Sequence, residues 1–163
     1  MSLMHLPTIL TEKRLPIILV DIDGTIANCD HRLHLVRTKP KNYPAFFKGI
    51  PHDGVYEDVL TLVRALWLAR NDIIFLSGRT EHTRKDTVEW LANKCNFGAD
   101  CYKEIILKAD NDSRQDFVYK IEVLEKLRAQ GNDVLMAIED RKRVVDAYRA
   151  ASLRCIQVQA GDY

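Results

Sequence analysis

The sequence lacks the features that would tie it to a membrane or to an oxidising compartment. No apolar run in its 163 residues approaches the roughly 18 residues that a membrane span needs. Its start has no basic segment followed by an apolar stretch, as secretory signals have. The four cysteines form no C-x-x-C pair, which argues against a zinc site and favours reduced thiols. We therefore expect a cytoplasmic protein with no membrane partner.

Other absences narrow the classes of activity. Basic and acidic residues number 24 and 23, so the net charge of +1 says little about partners. The phosphate-binding pattern G-x-x-x-x-G-K-[ST] is missing, which argues against kinase activity through a P-loop. No internal repeat or low-complexity tract divides the chain. Its length and its 47% content of hydrophobic residues predict a single globular domain over residues 1–163.

One stretch near the start organises the rest of the sequence. The apolar run Ile17–Val20 leads directly into Asp21 and Asp23, followed by Gly24 and Thr25. An apolar run without a polar face predicts a strand covered on both sides, as in a parallel sheet, whose carboxyl end opens onto a ligand crevice. Two aspartates so close together would repel each other in a poorly solvated turn unless a divalent cation or a shared proton lies between them.

Two later apolar runs end in the same way. Residues 72–76 are predicted to stop at a polar turn, Ser77-Gly78-Arg79, and residues 134–138 are followed by Glu139-Asp140-Arg141. Helices are predicted over 55–70, 82–94, 114–130 and 142–151, with Asp112 or Ser113 capping the third, and weaker strands over 104–107 and 154–158. Alternating strands and helices predict a parallel sheet with right-handed crossovers, so these polar strand ends should share one edge.

The helix predicted over 114–130 carries a lysine on its apolar face. Lys120 falls between Leu124 and Leu127 on a helical projection, whereas Lys126 points the other way. A desolvated and unpaired ammonium group is costly, so Lys120 must either extend to solvent or meet a negative partner. We favour the second interpretation, in which the lysine is directed at the two aspartates and a phosphate.

Residues 26–54 are predicted to form a long connection, a small cap or substrate loop, because prolines and glycines interrupt them. This segment contains five arginines and lysines but only two acidic residues, and Tyr43, Phe46 and Phe47 lie among them. Cations with interleaved aromatic rings suit a nucleic-acid strand or a nucleotide. The alternative is a solvated basic loop held down by its aromatic residues.

The order of the polar motifs resembles that of the haloacid dehalogenase (HAD) superfamily of phosphatases. Asp21-Ile22-Asp23-Gly24-Thr25, Ser77, Lys120 and Glu139-Asp140 match its four signatures in sequence. The resemblance implies an α/β, HAD-like (Rossmannoid) parallel sheet with helices on both faces and a small cap insertion after the first strand.

Within that superfamily the chain is similar to the 3'-phosphatase domain of phage polynucleotide kinase. The similarity rests on Arg32 eleven residues after Asp21, on Ser77-Gly78-Arg79, on residues 137–141 and on the closing segment 157–163. The phage family usually has two aspartates where this chain has Glu139-Asp140. Whether Glu139 contacts metal through water or only supports Lys120 therefore stays open.

The resemblance implies a role for each matched residue. Asp21 would be the nucleophile and Asp23 the general acid and base, with Ser77, the Gly78 amide and Lys120 holding the phosphoryl oxygens. Mg²⁺ would bind Asp21, the Asp23 main-chain carbonyl and Asp140. Thr25, Arg32 and Arg79 would contact the substrate.

These roles imply a Mg²⁺-dependent phosphomonoesterase that acts through an aspartyl phosphate on the 3'-phosphorylated end of a nucleic acid. Two alternatives stay open, a 5'(3')-deoxyribonucleotidase acting on free nucleoside monophosphates and a catalytically inert nucleic-acid-binding module. The resemblance also implies self-association into a homo-oligomer.

Overall fold

The computed structural model describes residues 14–161, whose core is a five-stranded parallel sheet. The strands are β1 (Ile17–Val20), β2 (Ala27–Asn28), β3 (Gly54–Val55), β4 (Asp72–Thr80), β5 (Glu104–Lys108), β6 (Val134–Arg141) and β7 (Arg154–Gly161). The sheet order is β5-β4-β1-β6-β7, and β2 and β3 form a separate antiparallel pair. The predicted parallel α/β sheet is therefore confirmed, with β1 at its centre. The start of the chain and the final Asp162-Tyr163 lie outside the described residues.

Six α-helices are found within residues 14–161. They are α1 (Asp30–Arg37), α2 (Tyr43–Lys48), α3 (Glu57–Leu68), α4 (Arg84–Lys94), α5 (Asp116–Ala129) and α6 (Lys142–Ala150). The predicted cap of α5 is wrong: Gln115 holds the cap position, because the Asp112 carboxylate accepts hydrogen bonds from the backbone and side chain of Arg114 instead. Between residues 14 and 161, none of the helices combines the length and apolar character needed to cross a membrane.

The central strand is buried on both faces, as its unbroken apolar run predicts. Ile18 and Val20 belong to the apolar cluster that includes residues of α3 and α4, whereas Ile17 and Leu19 belong to the cluster on α5 and α6. Alternate side chains of a strand point to opposite faces, so each layer of helices fixes one half of β1. This double burial sets the direction in which β1 delivers Asp21 to the sheet edge.

Residues 26–54 are more regular than the long connection we expected. They form α1, α2, a short 3₁₀ turn over Ile50–His52 and the β2–β3 pair, around a small apolar cluster that includes Leu33 and Phe46. Two of the prolines that suggested breaks lie in the first turns of helical segments, Pro44 in α2 and Pro51 in the 3₁₀ turn. Proline is well accommodated there because the first turn needs no amide donor. The segment is thus a compact insertion between β1 and α3, which we call the cap.

The polar motifs predicted as turns lie inside strands. Strand β4 continues through Ser77 and Gly78 to Thr80, and β6 continues through Glu139 and Asp140 to Arg141. Both extensions pair with the neighbouring edge strands after an irregularity in register. The sequence could not show this, because polar side chains at a strand end resemble a turn.

Candidate active site

Carboxylates from two strands meet at the carboxyl edge of the sheet. Asp21 follows β1, and Glu139 and Asp140 lie on β6, with one oxygen of each within 4.8 Å of the others. The Thr25 hydroxyl donates to Asp21 Oδ2 at 3.1 Å and lies 3.4 Å from Asp140 Oδ1. Gly24, with a positive φ of 84°, allows the sharp turn that brings Thr25 back over Asp21. The structure therefore brings together the acids that the sequence placed far apart.

Lys120 lies at the centre of this cluster and is fully buried. Its Nζ atom is 2.6 Å from Asp21 Oδ1, 2.7 Å from Glu139 Oε2 and 3.4 Å from Asp116 Oδ2. Burial alone would lower the pKa of Lys120, but the surrounding carboxylates hold that pKa well above its usual value. The ammonium group is thus paired inside the protein, and extension to solvent is excluded for this lysine.

The surroundings of Asp21 disfavour the ionised form of its carboxyl group. Burial raises the pKa of Asp21 to about 7, with the Glu139 carboxylate adding to the rise and Lys120 opposing it. An ionised Asp21 therefore needs positive charge besides Lys120. Carboxylate oxygens this close together are the donors that hard divalent cations prefer, so the residues present fit such an ion.

Glu139 directs both carboxylate oxygens at protein partners. Its Oε2 accepts from Lys120, and its Oε1 accepts from the backbone amides of Asp140 at 3.2 Å and Arg141 at 3.1 Å. Burial raises the pKa of Glu139 to about 7, with Lys120 opposing the rise and Asp140 adding to it. These contacts favour support of Lys120 over metal binding, although Glu139 stays within reach of the other two acids.

Asp23 is held by two buried arginines. Arg32 Nη2 lies 2.5 Å from Asp23 Oδ1, and Arg79 donates through Nη2 at 2.7 Å and through Nε to Oδ2 at 3.0 Å. Burial would raise the pKa of Asp23, but the Arg79 and Arg32 guanidinium groups hold that pKa well below its usual range. Each arginine is 1% exposed, so neither is a surface residue beside a loop. Their predicted contact with substrate stays a prediction; the contacts present fix the Asp23 carboxylate.

Asp53 is a site residue that the sequence did not reveal. It is 1% exposed and accepts from Arg32 Nε at 2.7 Å, from Arg32 Nη2 at 2.6 Å and from Arg79 Nη2 at 3.0 Å. Its carbonyl oxygen accepts from Trp90 Nε1 at 3.0 Å, which fastens the end of the cap to α4. The one available signal was that Asp53 is one of two acids in a mostly basic segment, and that signal does not identify its partners.

Asp116 is a second residue that sequence reasoning missed. Its Oδ1 atom is buried without a hydrogen-bond partner among residues 14–161 and lies 2.7 Å from where a Cβ on Gly78 would be. Gly78 therefore leaves room for this carboxylate beside Ser77, whose Oγ accepts from the Arg79 amide at 3.3 Å. The spacing of Asp116 and Lys120 by four residues on one helix was the signal that could have found it.

Side chains of the last strand, β7, form hydrogen bonds to the backbone of the site. Gln157 Nε2 donates to the Asp140 carbonyl at 2.9 Å, and Gln159 Nε2 donates to the Gly24 carbonyl at 2.7 Å. A Cβ atom at Gly161 would overlap Asp140 Oδ2. Strand β7 thus holds the backbone of both acidic motifs and leaves space for the Asp140 carboxylate.

The fold is α/β and HAD-like, and solved structures share it. CbbY from Rhodobacter sphaeroides, in complex with phosphate, is 15% identical, with a TM-score of 0.62 over 91% of this chain and 87% of that one. The class C acid phosphatase from Bacillus anthracis with tungstate bound is 16% identical, with a TM-score of 0.66 over 94% of this chain and 70% of that one. Phosphatases of this superfamily generally use a divalent metal, and the buried acids here provide a place for one.

The family can be stated more narrowly. The model of the polynucleotide kinase PNKP phosphatase domain matches residues 15–163, so the chain belongs to that family. A chain of the Pnkp1/Rnl/Hen1 RNA repair complex is 26% identical, with a TM-score of 0.74 over 91% of this chain and 44% of that one. The present chain thus spans less than half the length of that relative.

Proposed function

We propose that this chain is a Mg²⁺-dependent phosphomonoesterase that removes the 3'-phosphate from polynucleotide ends. The observation that carries the proposal is the convergence of Asp21, Asp140 and buried Lys120 beside Asp23, which two arginines hold. Membership of the PNKP phosphatase family and similarity to a protein of an RNA repair complex support a nucleic-acid substrate. The exposed basic side chains of the cap are suited to phosphates.

Three groups of the site would hold the cation. They are the Asp21 and Asp140 carboxylates and the main-chain carbonyl of Asp23. Mg²⁺ bound there would supply positive charge that keeps Asp21 ionised and offsets its repulsion of an anionic phosphate. The raised pKa of Asp21 in its buried surroundings supports this need for a cation.

The first step transfers the phosphoryl group to the protein. An Asp21 carboxylate oxygen attacks phosphorus, the bond from phosphorus to the sugar 3'-oxygen breaks, and Asp23 gives that oxygen its proton. Ser77, the Gly78 amide and Lys120 stabilise the charge on the phosphoryl oxygens. The result is an aspartyl phosphate and a free 3'-hydroxyl.

The second step regenerates the nucleophile. A water molecule loses a proton to Asp23 and attacks phosphorus, which releases inorganic phosphate and restores the Asp21 carboxylate. The ionised Asp23 that the arginines stabilise is the form that this step requires. For the first step, a phosphate dianion bound nearby would oppose the two guanidinium groups and raise the pKa of Asp23.

The substrate assignment can be tested by comparing specificity constants. We expect kcat/KM for a 3'-phosphorylated oligonucleotide to exceed that for free nucleoside monophosphates by at least an order of magnitude, because the basic cap contacts phosphates that a mononucleotide lacks. A 5'-phosphorylated oligonucleotide of the same sequence is the control.

A preference for mononucleotides would favour the nucleotidase. Failure to release phosphate from p-nitrophenyl phosphate with Mg²⁺ would favour the inert binding module.

Gly161 offers a test of the metal site in which no proposed ligand residue is itself replaced. In Gly161→Ala the new methyl group displaces the Asp140 carboxylate, so we expect the Mg²⁺ concentration for half-maximal activity to rise about 10- to 100-fold. Gly54→Ala is the matched control, because its Cβ would meet Asn28 Cβ at an ordinary 3.4 Å. An unchanged Mg²⁺ dependence in Gly161→Ala would show that Asp140 does not bind the ion.

A further inference from the structure

Three aromatic rings lie in a row across the junction of cap and core, near the arginines that hold Asp23. Tyr43 and Phe47 lie one turn apart on α2, with ring centroids 6.1 Å apart and planes at 28°. Phe47 in turn contacts the ring of His82, on the core, at 5.5 Å and 78°. We call Tyr43, Phe47 and His82 the aromatic row.

The inner end of the aromatic row adjoins the catalytic machinery. Phe46, next to Phe47 in sequence, lies under the Arg32 guanidinium at 4.0 Å, and its carbonyl oxygen accepts from Arg32 Nη1 at 3.3 Å. The His82 ring contacts the Thr80 hydroxyl at 3.1 Å, and Thr80 follows Arg79 on β4. Both sides of the row are thus linked to the arginines that hold Asp23.

The outer end of the row is open to solvent, and a lysine lies beside it. Tyr43 is 48% exposed, and Lys41 Nζ lies 5.8 Å from the centre of its ring. The exposed ionic groups of the cap are four cations and one carboxylate: Arg37, Lys39, Lys41, Lys48 and Asp30. Arg32 and Asp53, the other charged pair of the cap, are buried against each other. The cap therefore presents rings and cations together.

We propose that the aromatic row is a stacking platform for the bases next to the 3' end of a single-stranded polynucleotide. This inference deepens the proposed function and rests on it for the position of the terminal phosphate. Rings can stack only on bases that are not already stacked in a duplex, so the strand must be single-stranded where it crosses α2. Lys41 and Lys48 contact the backbone phosphates of the same strand.

The test removes the Tyr43 ring from the protein and the terminal bases from the oligonucleotide, first separately and then together. Binding is measured by fluorescence anisotropy, with wild type and Tyr43→Ala, on a 3'-phosphorylated oligonucleotide and on the same strand with its last four nucleotides abasic. We expect Tyr43→Ala to weaken binding of the normal strand about 5- to 150-fold. We expect the abasic strand to bind both proteins alike, because the contact is already lost. Tyr43→Phe should retain wild-type affinity, and Leu68→Ala, at an exposed apolar residue of α3, is the surface control.

The outcomes separate this inference from the proposed reaction. A Tyr43→Ala protein that binds the normal strand within twofold of wild type overturns the platform. Equal losses on normal and abasic strands also overturn it, because the ring then acts without a base; a protein partner would be the occupant left to seek. If wild type binds as expected yet leaves the 3'-phosphate intact, the platform stands and the proposed reaction is wrong.

Discussion

Asp21→Asn is expected to abolish turnover while leaving the fold intact. Asparagine has nearly the same shape and keeps an oxygen to accept from Lys120 or Thr25, but its amide cannot attack phosphorus. We expect kcat on a 3'-phosphorylated oligonucleotide to fall by a factor on the order of 10⁴ or more, as when other enzymes lose a nucleophile. Phosphate release in the presence of Mg²⁺ measures this directly.

The matched control is Asp133→Asn, the same chemical change at the opposite edge of the sheet. Asp133 is exposed just before β6, where its carbonyl oxygen accepts from the Ile17 amide, so its side chain is remote from the carboxyl ends of the strands. It should retain wild-type kcat. If Asp21→Asn retained more than about a hundredth of the wild-type rate, Asp21 would not be the nucleophile, and the two-step mechanism would be wrong.

The cap and Asp23 are joined by buried ion pairs in this structure. Asp23 lies on the core, but one of the arginines that hold it, Arg32, comes from α1, and Asp53, which pairs with both arginines, ends the cap. The position of the Asp23 carboxylate therefore depends on how the cap is seated. Trp90 and the β2–β3 pair fix that seating from the core side and from within the cap. If Asp23 is the general acid and base of the proposed mechanism, changes in the cap should alter proton transfer as well as substrate choice.

The buried central strand, the buried lysine and the shared strand edge could be predicted because each depends on periodic or local patterns in the sequence. The unbroken run before Asp21 predicted a strand buried on both faces, and the place of Lys120 on a helical projection predicted its burial. Right-handed crossovers then required the strand ends to meet at one edge. Each of these steps depends on spacing along the chain, which a single sequence records.

What the sequence missed depends on contacts between distant segments. Asp53 and Arg79 meet across 26 positions, and no spacing rule relates a cap residue to a core strand. The short helix α2 was missed for another reason, since a proline that begins a helix looks in sequence like a proline that ends one. The contacts of Arg32 and Arg79 with Asp23 and Asp53 were missed likewise, because carboxylate partners so far apart in sequence are visible only in three dimensions.

Removing the central lysine should damage both stability and catalysis. Lys120→Met keeps an unbranched apolar side chain but leaves Asp21, Glu139 and Asp116 without the cation that they surround. Breaking a buried ion cluster from one side typically costs about 3–5 kcal/mol, and we expect a loss of this size in the free energy of unfolding in urea with EDTA present. We expect kcat to fall by about 10²- to 10³-fold, because in the proposed mechanism the lysine also stabilises charge on the phosphoryl oxygens.

Lys126→Met on the same helix is the control, since Lys126 is exposed and its loss should change stability by no more than about 0.5 kcal/mol. The double variant Lys120→Met/Glu139→Gln separates the two effects of Lys120. It removes one of the carboxylates left without a partner, so it should regain part of the lost stability without regaining kcat. If Lys120→Met were as stable as wild type in EDTA, the carboxylates around it would be protonated at neutral pH. The ion cluster would then not be what holds α5 against the site.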